Sequence, residues 1–361
     1  MKKLLLILMI VPFLSRPAHA EAWSGGFDPS ALTEALPESA QSIAETYGED
    51  GLFRYEGALE KLWSGLLASV TENLRSSMRE LCAILCVILL CSVFTAPELG
   101  RKQQEHIQIG ACAIVSVSLS QGINAWFRQA MDSLSELCTY ASAALPTVYT
   151  AAAASGAIAS TSAKYAAAWF GLDLLMNASE RLILPLICST LALSVCASIF
   201  DNPVLRSMIK LSRRAAGLLM SLMTVAFTVL LSISGLISGS ADAVAGKAAR
   251  TLLSTAIPVV GRIVSDAADS VLLAAAAFRN SAGTFGIVAV CALCVPPFAS
   301  LAVRRVLLSL ASTVAEMTDG GRLSRLLNDL GSVLSLLLGL VGSYALMLFF
   351  ALFAAMRTVR G

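Results

Sequence analysis

The chain has 361 residues, 57% of them hydrophobic and 14% charged, with a mean hydropathy of +0.75 and a net charge of +2. Soluble globular domains carry about 25% charged residues, so a soluble enzyme or binding domain is excluded and the chain reads as an integral membrane protein. Its near-neutral balance gives no basis for nucleic acid as a partner.

Residues 1–20 have the form of a cleavable signal peptide. Lys2 and Lys3 supply the positive start, Leu4 to Leu14 the apolar core, and Ala18-His19-Ala20 the A-x-A site. That core is short for a hydrocarbon layer about 30 Å thick. An uncleaved anchor is the competing reading and leaves the later topology unchanged.

Residues 21–79 form the one sizeable polar region, expected on the outer side of the membrane. Residues 21–60 hold nine acidic residues against a single basic one, Arg54. Leu59, Leu62, Trp63, Leu66, Leu67, Val70 and Leu74 then recur at helical spacing. Two readings fit this stripe: a helix lying on the outer leaflet, or a docking surface for a partner.

Six apolar runs are long enough to cross: 81–97, 107–127, 182–200, 215–238, 283–303 and 332–356. Two more stretches, 141–160 and 253–277, are rich in Ala, Gly and Ser and carry Pro146 and Pro258. These are expected to be broken, re-entrant helices, since irregular backbone at membrane depth must be covered by protein or a wet cavity. An outside start puts three basic clusters in cytoplasmic loops: Arg101 and Lys102; Arg206, Lys210, Arg213 and Arg214; Arg304, Arg305, Arg322 and Arg325.

An offset of 112 residues superimposes Pro146 on Pro258, Pro185 on Pro297, and Leu211-Ser212-Arg213 on Leu323-Ser324-Arg325. The order broken segment, span, basic linker, span occurs twice, as in an internal duplication with parallel copies. The expected fold is thus all-α and polytopic. Residues 80–133 form a first pair of spans, and residues 134–245 and 246–361 form two repeat units.

Motifs for chemistry are missing. Eight of nine cysteines lie in apolar runs, and Cys291-Ala-Leu-Cys294 has no histidine nearby. After residue 20 the sole histidine is His106, read as lying in a polar loop, which makes neither a zinc site nor a Ser-His-Asp triad. Gly246-Lys247 is followed by alanine, not by the Ser or Thr of a phosphate loop. The expectation is a non-enzyme without metal or cofactor.

Charge inside the apolar region singles out Arg262, Asp266 and Asp269, which share one helical face at positions i, i+4 and i+7. A charge at the bilayer centre costs roughly 2.5–3.5 kcal/mol, so three on one face should meet a polar interior, a partner or the outer interface. A surface ion pair on an outer amphipathic helix remains the plain alternative.

The same stretch carries a resemblance. Ile257-Pro258-Val259-Val260-Gly261-Arg262, then Asp266, Asp269, Val271, and Arg279-Asn280 followed by Gly283 and Gly286, resembles the most distinctive block of the stage III sporulation protein AE family. Glu316 and Asp319-Gly320-Gly321-Arg322-Leu323 resemble its second block. Two positions depart: the family commonly has lysine where Arg279 stands and proline where Met317 stands. The resemblance implies a membrane component of the complex joining mother cell and engulfed forespore. Its implied partners are other stage III subunits, among them a separate ATPase, and a forespore-side membrane protein. It implies residence in the mother-cell-derived outer forespore membrane, with residues 21–79 in the intermembrane space. An independent secondary transporter and a structural anchor for ring-forming partners are the competing functions.

Overall fold

The computed structural model describes residues 34, 36, 58–94, 101–155, 158–256, 261–318 and 320–357. Among the described residues every regular element is helical. In chain order these are α1 (Ala58–Phe94), α2 (Arg101–Ala154), α3 (Ile158–Ala178), a π-helical turn (Ser179–Ile183), α4 (Leu184–Phe200), α5 (Pro203–Ala256), α6 (Gly261–Met317) and α7 (Gly321–Met356). They fold as three hairpins: α1 with α2, the α3–α4 rod with α5, and α6 with α7.

Among the described residues five helical segments, the α3–α4 rod counted as one, are long and apolar enough to cross a membrane, and a sixth candidate is α2, whose halves Gln103–Ser120 and Gly122–Ala154 meet at 41°. The chain is an integral membrane protein with an all-α fold. Its organising element is α7, which touches α2 to α6. A helix that is apolar all round belongs in an interior, and Leu327, Leu330, Val333, Leu334, Leu337 and Leu340 are all fully buried. By contrast, α5 is one-sided: Leu218, Leu222, Val225, Val229 and Ile233 recur every three or four residues and are exposed, the stripe expected of a lipid-facing helix.

Four features differ from the sequence-based expectations. First, the basic clusters are not loops. Arg206 to Arg214 lie in α5, Arg304 and Arg305 in α6, and Arg322 and Arg325 in α7, while the described connections are as short as Asp201-Asn202. Charge density suggested linkers, but residues 204–214 contain no glycine or proline to end a helix. His106 likewise lies in α2.

Second, α2 runs through Pro146 without a break. Proline leaves the carbonyl four residues back without its N–H partner. Here that is the Ser142 carbonyl; the neighbouring Ala143 carbonyl accepts from Thr147 Oγ1 at 2.8 Å. Leu145, Val148 and Tyr149 are buried on either side, so packing holds the segment helical.

Third, an interruption appears where none was expected, just before Pro185. The Leu184 N–H reaches the Ser179 carbonyl, a wide i→i+5 turn. In regular α geometry the Pro185 ring would meet the carbonyl of residue 181; one extra residue in the turn relieves that contact.

Fourth, α1 is continuous from the apolar stripe that begins at Leu59 into the first apolar run, and Trp63, Leu67, Leu74 and Met78 on it are exposed. The sequence-based boundaries at 79/80, 133/134 and 245/246 fall inside α1, α2 and α5.

Candidate functional sites at the two ends of the bundle

The segment singled out in the sequence straddles the start of α6. Pro258 lies outside the described residues. Gly261 opens α6, and Arg262, Asp266 and Asp269 occupy its first turns. Their side chains lie outside the described residues.

From Arg279 the block can be followed atom by atom. Arg279 is 4% exposed. Its Nη1 donates to Ser155 Oγ at 3.1 Å, and its Nη2 to Asn280 Oδ1 at 3.3 Å, while its buried Nε has no partner among the described residues. Ser155 closes α2, its N–H reaching the Ala151 carbonyl at 3.1 Å. A cation here sits at the negative end of the α2 dipole, where cations are favoured. Lys164, also buried, donates to the Ala354 carbonyl at 3.5 Å near the end of α7, and Tyr149 Oη donates to the Ala351 carbonyl at 2.9 Å.

Asn280 itself is exposed, but Gly283 and Gly286 are buried on the face of α6 turned to α7. A Cβ at Gly283 would collide with Met356 Cγ; one at Gly286 would stand 3.1 Å from Leu352 Cδ1. The two glycines let the helices approach.

The second block builds the other end. α6 stops at Met317 and α7 begins at Gly321. The Gly320 N–H donates to the Ala315 carbonyl at 2.9 Å, and a Cβ on Gly320 would lie 2.9 Å from that same backbone oxygen. Glycine is required there by contact. Ser324 Oγ donates to Glu316 Oε1 at 2.9 Å, clamping the turn.

Arg322 then joins all three hairpins. Its Nη1 donates to the Ile199 carbonyl at the end of α4 at 3.1 Å. Its Nη2 stands 3.8 Å from Asp201 and 3.9 Å from Glu105 of α2. Asp201 also pairs with Arg206 and, at 3.6 Å, with Arg325. Asp201 is in the left-handed region (φ 45), a conformation Asp tolerates better than most residues. Asn202 follows as N-cap, its Oδ1 accepting from the Val204 N–H at 2.8 Å, with Pro203 in the first helical position.

Between α4, α5 and α7, beside this knot, lies an open cavity of about 260 Å³. Its cations are Arg206, Lys210, Arg213, Arg322 and Arg325. Asp329 lines it as well and pairs with Arg213 at 3.4 Å. Neither the cavity nor the roles of Glu105, Asp201 and Asp329 were anticipated from sequence. The Asn202-Pro203 pair was the one local signal for the turn.

Comparison with known proteins covers both ends. The family model described as Stage III sporulation protein AE matches residues 49–358, and so includes both blocks. The chain belongs to this family. A curated relative, Stage III sporulation protein AE of Bacillus subtilis (strain 168), is 22% identical over 328 residues, covering 88% of this chain and 79% of the relative. No solved structure matches. For this member of the family, Arg279, Gly283, Gly286, Gly320 and Arg322 have direct packing or hydrogen-bonding reasons to be what they are.

Proposed function

We propose that the chain is a scaffold or channel subunit of the complex that joins mother cell and forespore during endospore formation, and that it is not an enzyme. The observation that carries this reading is the family match over residues 49–358, on a body in which the described residues form five to six candidate membrane spans. In this reading it resides in the mother-cell-derived outer forespore membrane, and its outer region faces the intermembrane space. Its partners are other stage III subunits, including a separate ATPase that supplies energy, and a membrane protein on the forespore side. The exposed apolar faces of α1 and α5 offer surface for lipid and for neighbouring subunits.

Arg262, Asp266 and Asp269 are proposed to line a polar interior or touch a partner, because charge in an apolar setting is costly unless it is compensated. The test is a tagged chain expressed in sporulating cells. Wild type should co-purify with the other stage III subunits and support forespore development. The combination Arg262→Ala, Asp266→Asn and Asp269→Asn should insert in the membrane yet fail in assembly. Solute uptake by the purified chain alone in liposomes, with no co-purifying subunits, would instead establish an independent transporter.

A further inference from the structure

We propose that the cavity between α4, α5 and α7 binds the phosphate of an anionic phospholipid, at the leaflet nearest the Asp201-Asn202 turn and the end of α6 at Met317. Charge is the first argument. Five cations line the cavity, whereas the carboxylates that meet them are Asp201, Asp329 and Glu105. Asp201 alone is divided among three arginines, Arg206, Arg322 and Arg325. The Lys210 ammonium has no hydrogen bond or ion pair with any described residue. A positive excess held in a concavity draws an anion to it.

Geometry is the second argument. Arginine forks match the oxygens of a phosphate two at a time, and here they come from two facing helices. Arg206 and Arg213 project from α5, and Arg322 and Arg325 from α7. The cavity of about 260 Å³ is roomy enough for a phosphate group, and it is open on one side, as a ligand with an attached chain requires.

The level in the membrane decides between a lipid phosphate and a free one. Phe200 is 72% exposed and Val204 62%, and each is two residues or fewer from the polar turn Asp201-Asn202. Met208 and Leu211 continue this exposed apolar surface along α5. Apolar exposure up to the turn puts lipid beside this end of the bundle, and the long side chains of Arg206, Lys210 and Arg213, in the first turns of α5, can reach up to its phosphates. Basic pockets between membrane helices within such reach hold anionic headgroups.

The experiment uses the full chain in phosphatidylcholine nanodiscs with and without phosphatidylglycerol, and counts retained lipid by native mass spectrometry. Lys210→Gln removes the unpaired cation and leaves every ion pair in place. Arg325→Gln removes a second cation, and Arg181→Gln, exposed on the π turn, serves as the control. Retention of phosphatidylglycerol should fall about fivefold for each cavity charge removed and be unchanged by Arg181→Gln. Thermal unfolding of each variant in phosphatidylcholine alone verifies folding independently. Equal retention by all four proteins overturns the proposal. So does stabilisation by millimolar inorganic phosphate equal to that by phosphatidylglycerol, which would make the ligand a soluble anion. Lys210-dependent binding of poly-glutamate, with lipid retention unaffected, would assign the cavity to an acidic protein segment and also overturn it.

Discussion

Arg322 at the turn end of the bundle and Arg279 at the opposite end are both arginines in family-like blocks, yet they are accommodated by different physics. Around Arg322 the acceptors include carboxylates, Asp201 and Glu105, and the ion pairs are partly open to solvent. Around Arg279 they are a hydroxyl and an amide, at the carboxyl end of α2, and the side chain is almost fully buried. The first arrangement depends on charge count and is weakened by salt. The second depends on donor shape and on the helix dipole. A sequence shows two arginines; the partners decide which one tolerates a change of charge.

The comparison breaks most visibly at Arg279. Arg279→Glu would bury an anion beside the carbonyls ending α2, and should lower stability by about 3–5 kcal/mol, read as thermal unfolding in detergent. Arg279→Lys keeps the cation and loses part of the fork, so its cost should be about 0.5–1.5 kcal/mol. Equal losses for the two would show that charge is not what this end requires.

A middle-sized effect is expected at Arg322. Arg322→Leu strips the donor from the Ile199 carbonyl and should cost about 1–3 kcal/mol. The charge-dependent part should shrink as salt is raised past a Debye length of about 3 Å at 1 M, and it should be smaller when Asp201 is already Asn. The deficit of Arg279→Gln, set against wild type, should be nearly independent of salt. Parallel salt responses at both ends would erase the distinction.

The smallest effect tests a third arginine that lies between the ends. Arg305 Nε donates to Ser335 Oγ at 3.1 Å, and its Nη1 would stand 2.6 Å from a Cβ on Gly331. Gly331→Ala should therefore displace the guanidinium and cost about 1 kcal/mol. Gly217→Ala, where nothing lies within 4 Å, should gain about 0.5–1 kcal/mol from helix propensity. A gain at both positions would mean that Arg305 gives way freely.

Hydropathy made the membrane class and most apolar segments legible, because transfer to lipid depends on composition within one segment. It could not give helix length. α6 runs for 57 residues, well past the apolar stretch 283–303, and α5 begins in charged sequence held helical by pairs such as Arg213 with Asp329. Those partners are 116 residues apart. Proline misled for a similar reason: Pro146 is overridden by the packing of Leu145, Val148 and Tyr149, while Pro185 widens a turn. The blocks around Arg279 and Arg322 were located by resemblance. Their roles as clamps needed Ser155, Ile199 and Asp201, none of which stands out by composition.

The π turn at 179–183 makes chain length a variable in its own right. It stores one residue beyond the regular helical count, and each residue turns a helix by about 100°. Removing one residue there would restore the regular helical count and bring the Pro185 ring back against the carbonyl one turn earlier, so the rod would be kinked as well as rotated. Relative to α3, the face of α4 that carries Ser194 and Ser198 would swing by that angle away from Arg213 and Asp329. A single-residue deletion in this turn should thus act as a rotation of one half of a membrane rod against the other. Neither half would need to lose a side chain from its own core.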